Sequence, residues 1–199
     1  MNAGQVCISV QRIYLHEKIA DAFTQKFLEK TRKLVMGDPL DEKTDLGPMI
    51  SEKEVERTQA WVDEAAKGGA KLLCGGKREG RFFPPTVITD LKPEMKVHCN
   101  EVFAPIVNLY RYRDFPAVLD SVNDSAFGLQ AGVFARDIGR VFQAFETLEV
   151  GGVIVNDVPS WRVDHMPYGG EKDSGQGREG VRYAIEEMTQ LRLLALNLK

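Results

Sequence analysis

Apolar positions along the chain switch between short strand-like runs and longer stretches in which they recur every three or four residues. This is the pattern of an α/β domain with a mainly parallel, open sheet flanked by helices. Ile13-Tyr14-Leu15 reads as a strand, and Ile19, Phe23, Phe27 and Leu34 then fall on one helical face until Gly37-Asp38-Pro39 stops it. Ser51 with Glu54 makes a capping box for a helix over about residues 52–67, which Gly68-Gly69 ends. Lys71–Cys74 and Thr86–Ile88 read as short strands around a glycine-rich, aromatic hairpin region.

The alternation continues with a strand at Ile106–Tyr110, a helix marked by Phe115, Val118, Leu119 and Val122, and a strand at Ala131–Ala135. Ile138, Val141, Phe142, Phe145 and Leu148 mark the next helix, and Val153–Val155 the next strand. A long polar loop, 156–177, leads to a helix over about 178–188 and a final strand, Leu191–Leu198, apolar on both faces. An edge of that kind needs a partner. The expected organisation is one domain over residues 1–188 and an oligomerisation strand over 189–199.

Composition narrows the function classes. The chain has 199 residues, 43% of them hydrophobic, and a formal net charge of −3, so it offers no basic field for nucleic acid or an anionic membrane surface. Its longest apolar runs fall far short of the roughly 20 residues that span a bilayer, and Met1-Asn2-Ala3-Gly4-Gln5 is not a secretory n-region. Three cysteines, Cys7, Cys74 and Cys99, make neither a disulfide framework nor a zinc site, and His16, His98 and His165 add no metal-ligand spacing. No metal is expected, and the setting is read as reducing and cytoplasmic.

Asn2-Ala3-Gly4-Gln5-Val6-Cys7 places a thiol after a glycine-containing turn and before Ile8–Arg12, which reads as a possible helical turn. A helix N-terminus or a nearby cation favours the nucleophilic thiolate. The plainer alternative is a small packing residue, and Cys74 and Cys99 are read that way.

The segment Asn-Ala-Gly-Gln-Val-Cys resembles the active-site cysteine segment of the aldehyde dehydrogenase superfamily. Three further segments follow in the family's order. Glu101-Val102-Phe103-Ala104-Pro105 resembles its Glu-x-Phe-Gly-Pro, with Ala104 where glycine is usual, and Asn123 to Leu129 resembles its Asn-x-x-x-aromatic-Gly-Leu. Pro167-Tyr168-Gly169-Gly170-Glu171-Lys172-Asp173-Ser174-Gly175 is similar to its Pro-aromatic-Gly-Gly-x-Lys-x-Ser-Gly loop.

The resemblance implies NAD(P)-dependent oxidation of an aldehyde to a carboxylic acid through a thiohemiacetal and a thioester on Cys7, with the Cys7 backbone N–H donating to the oxyanion. It implies that Glu101 accepts from the nicotinamide-ribose hydroxyls and that Phe103 packs near the nicotinamide. The family's oxyanion asparagine and its glutamate base lie upstream of the cysteine. Neither Asn2 nor Glu179 replaces them, so the chain is expected to be a fragment, inactive alone, that does not bind NAD or NADP without a missing N-terminal cofactor-binding domain. The remaining expected partners are a small aldehyde and, through the terminal strand, further copies of the chain.

Within residues 156–168, by resemblance the lining of the aldehyde tunnel, Arg162 is read as either a clamp for an acidic aldehyde or a surface arginine. Tyr168 and Trp161 are further candidates, and His165 is read as solvent-facing. Gly175-Gln176-Gly177-Arg178-Glu179-Gly180 spells G-x-G-x-x-G, but no apolar strand leads into it and no acid lies about 20 residues on, so it is read as loop geometry rather than a dinucleotide site. Two other functions stay open: a non-catalytic assembly module pairing through Leu191–Leu198, and a cysteine hydrolase using His98 or His165 as base.

Overall fold

The computed structural model describes residues 2–198, and the chain divides into two compact units, Met1–Ala126 and Phe127–Lys199. In the first, β1 (Arg12–His16), β2 (Lys71–Cys74), β3 (Thr86–Thr89) and β4 (Ile106–Tyr112) form one sheet in the order β1-β4-β3-β2. β4 pairs in parallel with β1 and β3, while β2 joins β3 antiparallel through a bulge at Leu72/Cys74. The expected α/β class with a mostly parallel sheet is what is found.

Side-chain alternation on the strands decides which helix covers which face. Ile88 of β3 and Ile106 of β4 enter a cluster with Val55, Val62 and Ala65 of α2 (Glu52–Lys67), together with Phe83, Val97 and Val102. Val87 and Leu109 point into a second cluster with Ala20 of α1 (Glu17–Thr31), on which Phe23 and Phe27 pack. The Ser51 cap operates as expected, its Oγ accepting from the Glu54 N–H at 3.3 Å, although the Glu54 carboxylate turns to Arg57 instead of closing the box. Each buried valine contributes about 1.5–3 kcal/mol against about 1 kcal/mol for the cap, so packing holds α2 in place.

Two expectations in this unit are corrected. α1 stops at Thr31 rather than running to Gly37, and Leu34 is exposed. Beyond Arg32 the backbone of Val35 is drawn into bonds with Asp45 and Leu46, which extends the chain and leaves Leu34 no core to face. Ile8–Arg12 forms no helix: one turn closes with Ser9 N–H on Val6 O at 2.9 Å, and the chain then extends into β1. A short helix, α3 (Lys96–Cys99), was not anticipated.

In the second unit, α4 (Phe115–Asn123) having closed the first, β5 (Phe127–Gly128) is followed by β6 (Gln130–Val133), α5 (Ile138–Thr147) and β7 (Gly152–Val155). β6 and β7 pair in parallel, and β8 (Glu171–Lys172), inside the expected polar loop, pairs antiparallel with β5. α6 spans Val181–Glu187, shorter than expected, because Gly180 sits at φ 113 as its N-cap and breaks the helical path from Arg178. Residues 191–198 form no strand, and Leu191, Leu193, Leu194, Leu196 and Leu198 are exposed. The apolar pattern there meets no ladder within this chain.

Candidate active site

The Cys7 segment is built on an unusual backbone. Asn2, Ala3 and Gly4 all have positive φ (45°, 50° and 73°), forming a left-handed 3-10 turn that buries Ala3. Asn2 O closes it, accepting from both the Gln5 backbone N–H and Gln5 Nε2 at 3.0 Å. Gln5 Oε1 in turn accepts from Ile50 N–H at 2.8 Å, tying the turn to the loop before α2. A side chain at Gly4 would force the two backbones apart, since a Cβ would lie 2.1 Å from Ala104 O. The turn therefore sits backbone to backbone against the Glu101–Pro105 segment.

That segment alternates between anchored and presented residues. Val102 and Ala104 are buried at 1% and 3% exposure, while Glu101 and Phe103 face outward, Phe103 being 40% exposed. Arg57 holds the loop by donating to Val102 O at 2.7 Å, with its guanidinium kept in place by Glu54 and by the Trp61 ring, 4.4 Å away. Phe103 has φ 51°, a costly conformation for a bulky residue, of order 1–3 kcal/mol, that persists only where the surroundings over-determine it. The methyl of Ala104 is accommodated; the tight approach is at Gly4.

Cys7 is exposed and carries a thiol, so it is not buried in the core of this chain. The helix N-terminus considered for it is absent. Cys99 is exposed as well, against expectation, whereas Cys74 is half-buried and burial pushes its thiol pKa up. His98 Nδ1 lies 2.7 Å from the Tyr110 hydroxyl, and burial lowers the imidazole pKa. Among the described residues no group of three His, Cys, Asp or Glu side chains is placed to hold a metal, and no helix is long and apolar enough to cross a membrane.

In the second unit the aldehyde-tunnel candidates separate. The Arg162 guanidinium lies 4.1 Å from the centroid of the Tyr168 ring and donates to Glu179 at 3.0 Å. Tyr168 is buried and exchanges backbone hydrogen bonds with Glu179, whereas Trp161 is 45% exposed and His165 is exposed. Gly175, Gly177 and Gly180 all have positive φ, as a loop-shaping role requires, and Arg178 donates to Gly170 O across the loop.

Over residues 1–194 the sequence matches the aldehyde dehydrogenase family. The chain belongs to that family. It is 56% identical over 197 residues to the 3-sulfolactaldehyde dehydrogenase of Priestia aryabhattai, covering 99% of this chain and 41% of that protein. The crystal structure of aldehyde dehydrogenase 21 from Physcomitrella patens, in complex with the product succinate, superposes with a TM-score of 0.92 at 49% identity over 94% of this chain and 39% of that one. Glyceraldehyde-3-phosphate dehydrogenase GapN from Methanocaldococcus jannaschii, complexed with NADP, gives 0.89 at 44% identity over 94% of this chain and 40% of that one. The chain thus spans about 40% of the length of the relatives it matches.

Within this aldehyde dehydrogenase chain, Cys7, Glu101 and Phe103 fall in two segments that meet at Gly4 and Ala104. The bracing roles of Gln11 and Arg57 were missed, as was that of Gln5 within its motif, because no local pattern marks a side chain that works by bonding distant backbone. Gln11 stands four residues from Cys7, yet its partners lie about ninety residues on.

Proposed function

We propose that Cys7 is the nucleophile of an NAD(P)-dependent aldehyde dehydrogenase whose activity requires a longer polypeptide than this chain. One observation carries the reading: an exposed thiol stands on a turn packed directly against the backbone that presents Glu101 and Phe103. As the thiolate, its proton given up to solvent, the Cys7 sulfur forms a bond to the aldehyde carbon as the carbonyl electron pair moves to oxygen, and the Cys7 N–H donates to that oxyanion. A bound nicotinamide supplies the acceptor for the hydride that leaves this carbon. Cys7 then holds the acyl group as a thioester until water cleaves it, releasing the acid and returning the proton to sulfur.

Glu101 and Phe103 fit the cofactor assigned to them: a carboxylate acceptor suits ribose hydroxyls, and an aromatic face suits a flat ring. The named relatives and neighbours act on or hold a sulfonate, a phosphate ester and a dicarboxylate. That run of anions favours an acidic aldehyde here, with Arg162 as its clamp, stacked on Tyr168 and sharing its charge with Glu179; Trp161 would border the same loop. His98, committed to Tyr110, offers no support to a hydrolase.

The test uses a polypeptide of the relatives' length carrying this chain. Cys7→Ser is expected to lower aldehyde-dependent NAD(P)H formation at least about 10³-fold, and this chain alone is expected to produce none. Retained turnover in Cys7→Ser overturns the reading. Arg162→Gln should raise KM for an anionic aldehyde and leave that for a neutral one of similar size unchanged; equal effects on both remove the clamp.

A further inference from the structure

The side-chain amide of Gln11 makes three hydrogen bonds to one stretch of backbone. Nε2 donates to Val97 O at 3.2 Å and to Asn100 O at 2.8 Å, while Oε1 accepts from Val102 N–H at 2.8 Å. Two carbonyls on one side and one N–H on the other fix the amide's orientation, since the flipped group would face like against like. The backbone of Gln11 is fastened too, its C=O accepting from Asn108 N–H at 2.8 Å. Asn108, fully buried on β4, donates its own side-chain amide to the same Val97 O at 2.6 Å.

The stretch so clamped, Val97 to Val102, runs through α3 directly into Glu101 and Phe103. The left-handed φ of Phe103 is sustained only by neighbours that leave the backbone no alternative, and Val102 N–H is bonded one residue before it. Gln11 also lies on the same short segment as Cys7, between the thiol and β1. Resting on the assignment of Glu101 and Phe103 to the nicotinamide cofactor, we infer that Gln11 is a positioning residue that references the cofactor loop to the segment carrying the thiol. It touches neither cofactor nor aldehyde; it sets where the two cofactor side chains stand.

Two variants of the relatives-length polypeptide test this, with NAD(P)+ affinity measured by equilibrium binding and Cys7 reactivity by alkylation. Gln11→Met keeps the length and removes all three bonds; it is expected to weaken cofactor binding roughly tenfold and to leave the alkylation rate unchanged. Gln11→Glu keeps the acceptor but sets a carboxylate against two carbonyls. Its cofactor affinity is expected to be low near pH ~8 and to recover as the pH falls toward ~5.5, because the protonated acid regains a donor. Protonation would also restore any stability the charge removes, so affinity is compared only at pH values where urea unfolding shows Gln11→Glu fully folded; measured that way, it decides the matter even where Gln11→Met folds poorly. Unchanged affinity in Gln11→Met, or a pH-independent Gln11→Glu, while Glu101→Gln weakens binding, overturns the positioning role and spares the cofactor assignment. Unchanged affinity in both Glu101→Gln and Phe103→Ala overturns that assignment and the positioning role with it.

Discussion

In Met1–Ala126 the sheet has a helix on each face and, among the described residues, nearly all the fully buried side chains, including Phe83, Ile88, Val97 and Ile106. In Phe127–Lys199 the buried apolar residues are Ala144, Leu148 and Tyr168, while Phe134, Ile138, Phe142 and Phe145 are exposed at 58–69%. The two stretches differ little in apolar patterning, since α5 is as clearly amphipathic as α2. They differ in whether the apolar stripe meets a partner within this chain. The first unit therefore fixes the backbone of its candidate site by its own contacts, whereas the second leaves the apolar face of α5 exposed.

The contrast is broken or sharpened most directly by truncating one phenylalanine from each unit. Phe83→Ala is expected to cost about 3–5 kcal/mol in urea unfolding, and Phe145→Ser within about 0.5 kcal/mol while raising solubility. A large cost for Phe145→Ser would show that this residue is buried after all. Next in size is Gly4→Ala, expected to cost about 2–4 kcal/mol, because the added methyl meets Ala104 O and the backbone stays at positive φ. A near-neutral Gly4→Ala would separate the thiol turn from the Glu101 loop.

The smallest effect is one of pH. Burial favours neutral His98, so the native state binds fewer protons than the unfolded one between the lowered pKa and the ordinary 6.5. This contribution is fully present above about pH 6.5 and is lost as the pH falls through the native pKa. Urea midpoints at pH 7.5 and pH 5 should therefore fall further apart in the parent than in His98→Gln. Equal separations would place His98 in a solvent-like setting, as in the more exposed unit.

Much of this was legible in advance where local pattern and local burial agree. The α2 boundaries follow from the Ser51 cap and Gly68, and β4 and the strand at 152–155 follow from their apolar runs. Reading failed where something distant intervened: Asp45 and Leu46 end α1 early, Gly180 shortens α6, and the leucines of 191–198 find no ladder. The site divided in the same way. Cys7, Glu101 and Phe103 are marked by motif, but Gln11 and Arg57 are not, since what matters about them is which carbonyls they reach.

Residue type and spacing alone were enough for the α/β class and the family, and for naming a thiol, a carboxylate and an aromatic ring as the candidate groups, because these are marked by local motif. Only the tertiary structure decided that the thiol turn lies against the Glu101 loop, that Phe103 is held in a left-handed conformation, and that Arg162 is stacked and paired. Those facts depend on backbone approaches between residues about a hundred positions apart at Gly4 and Ala104, and on side chains such as Arg162 choosing among several partners within reach. Neither is encoded in a local period, because close packing is a property of the assembled neighbours and not of any one segment.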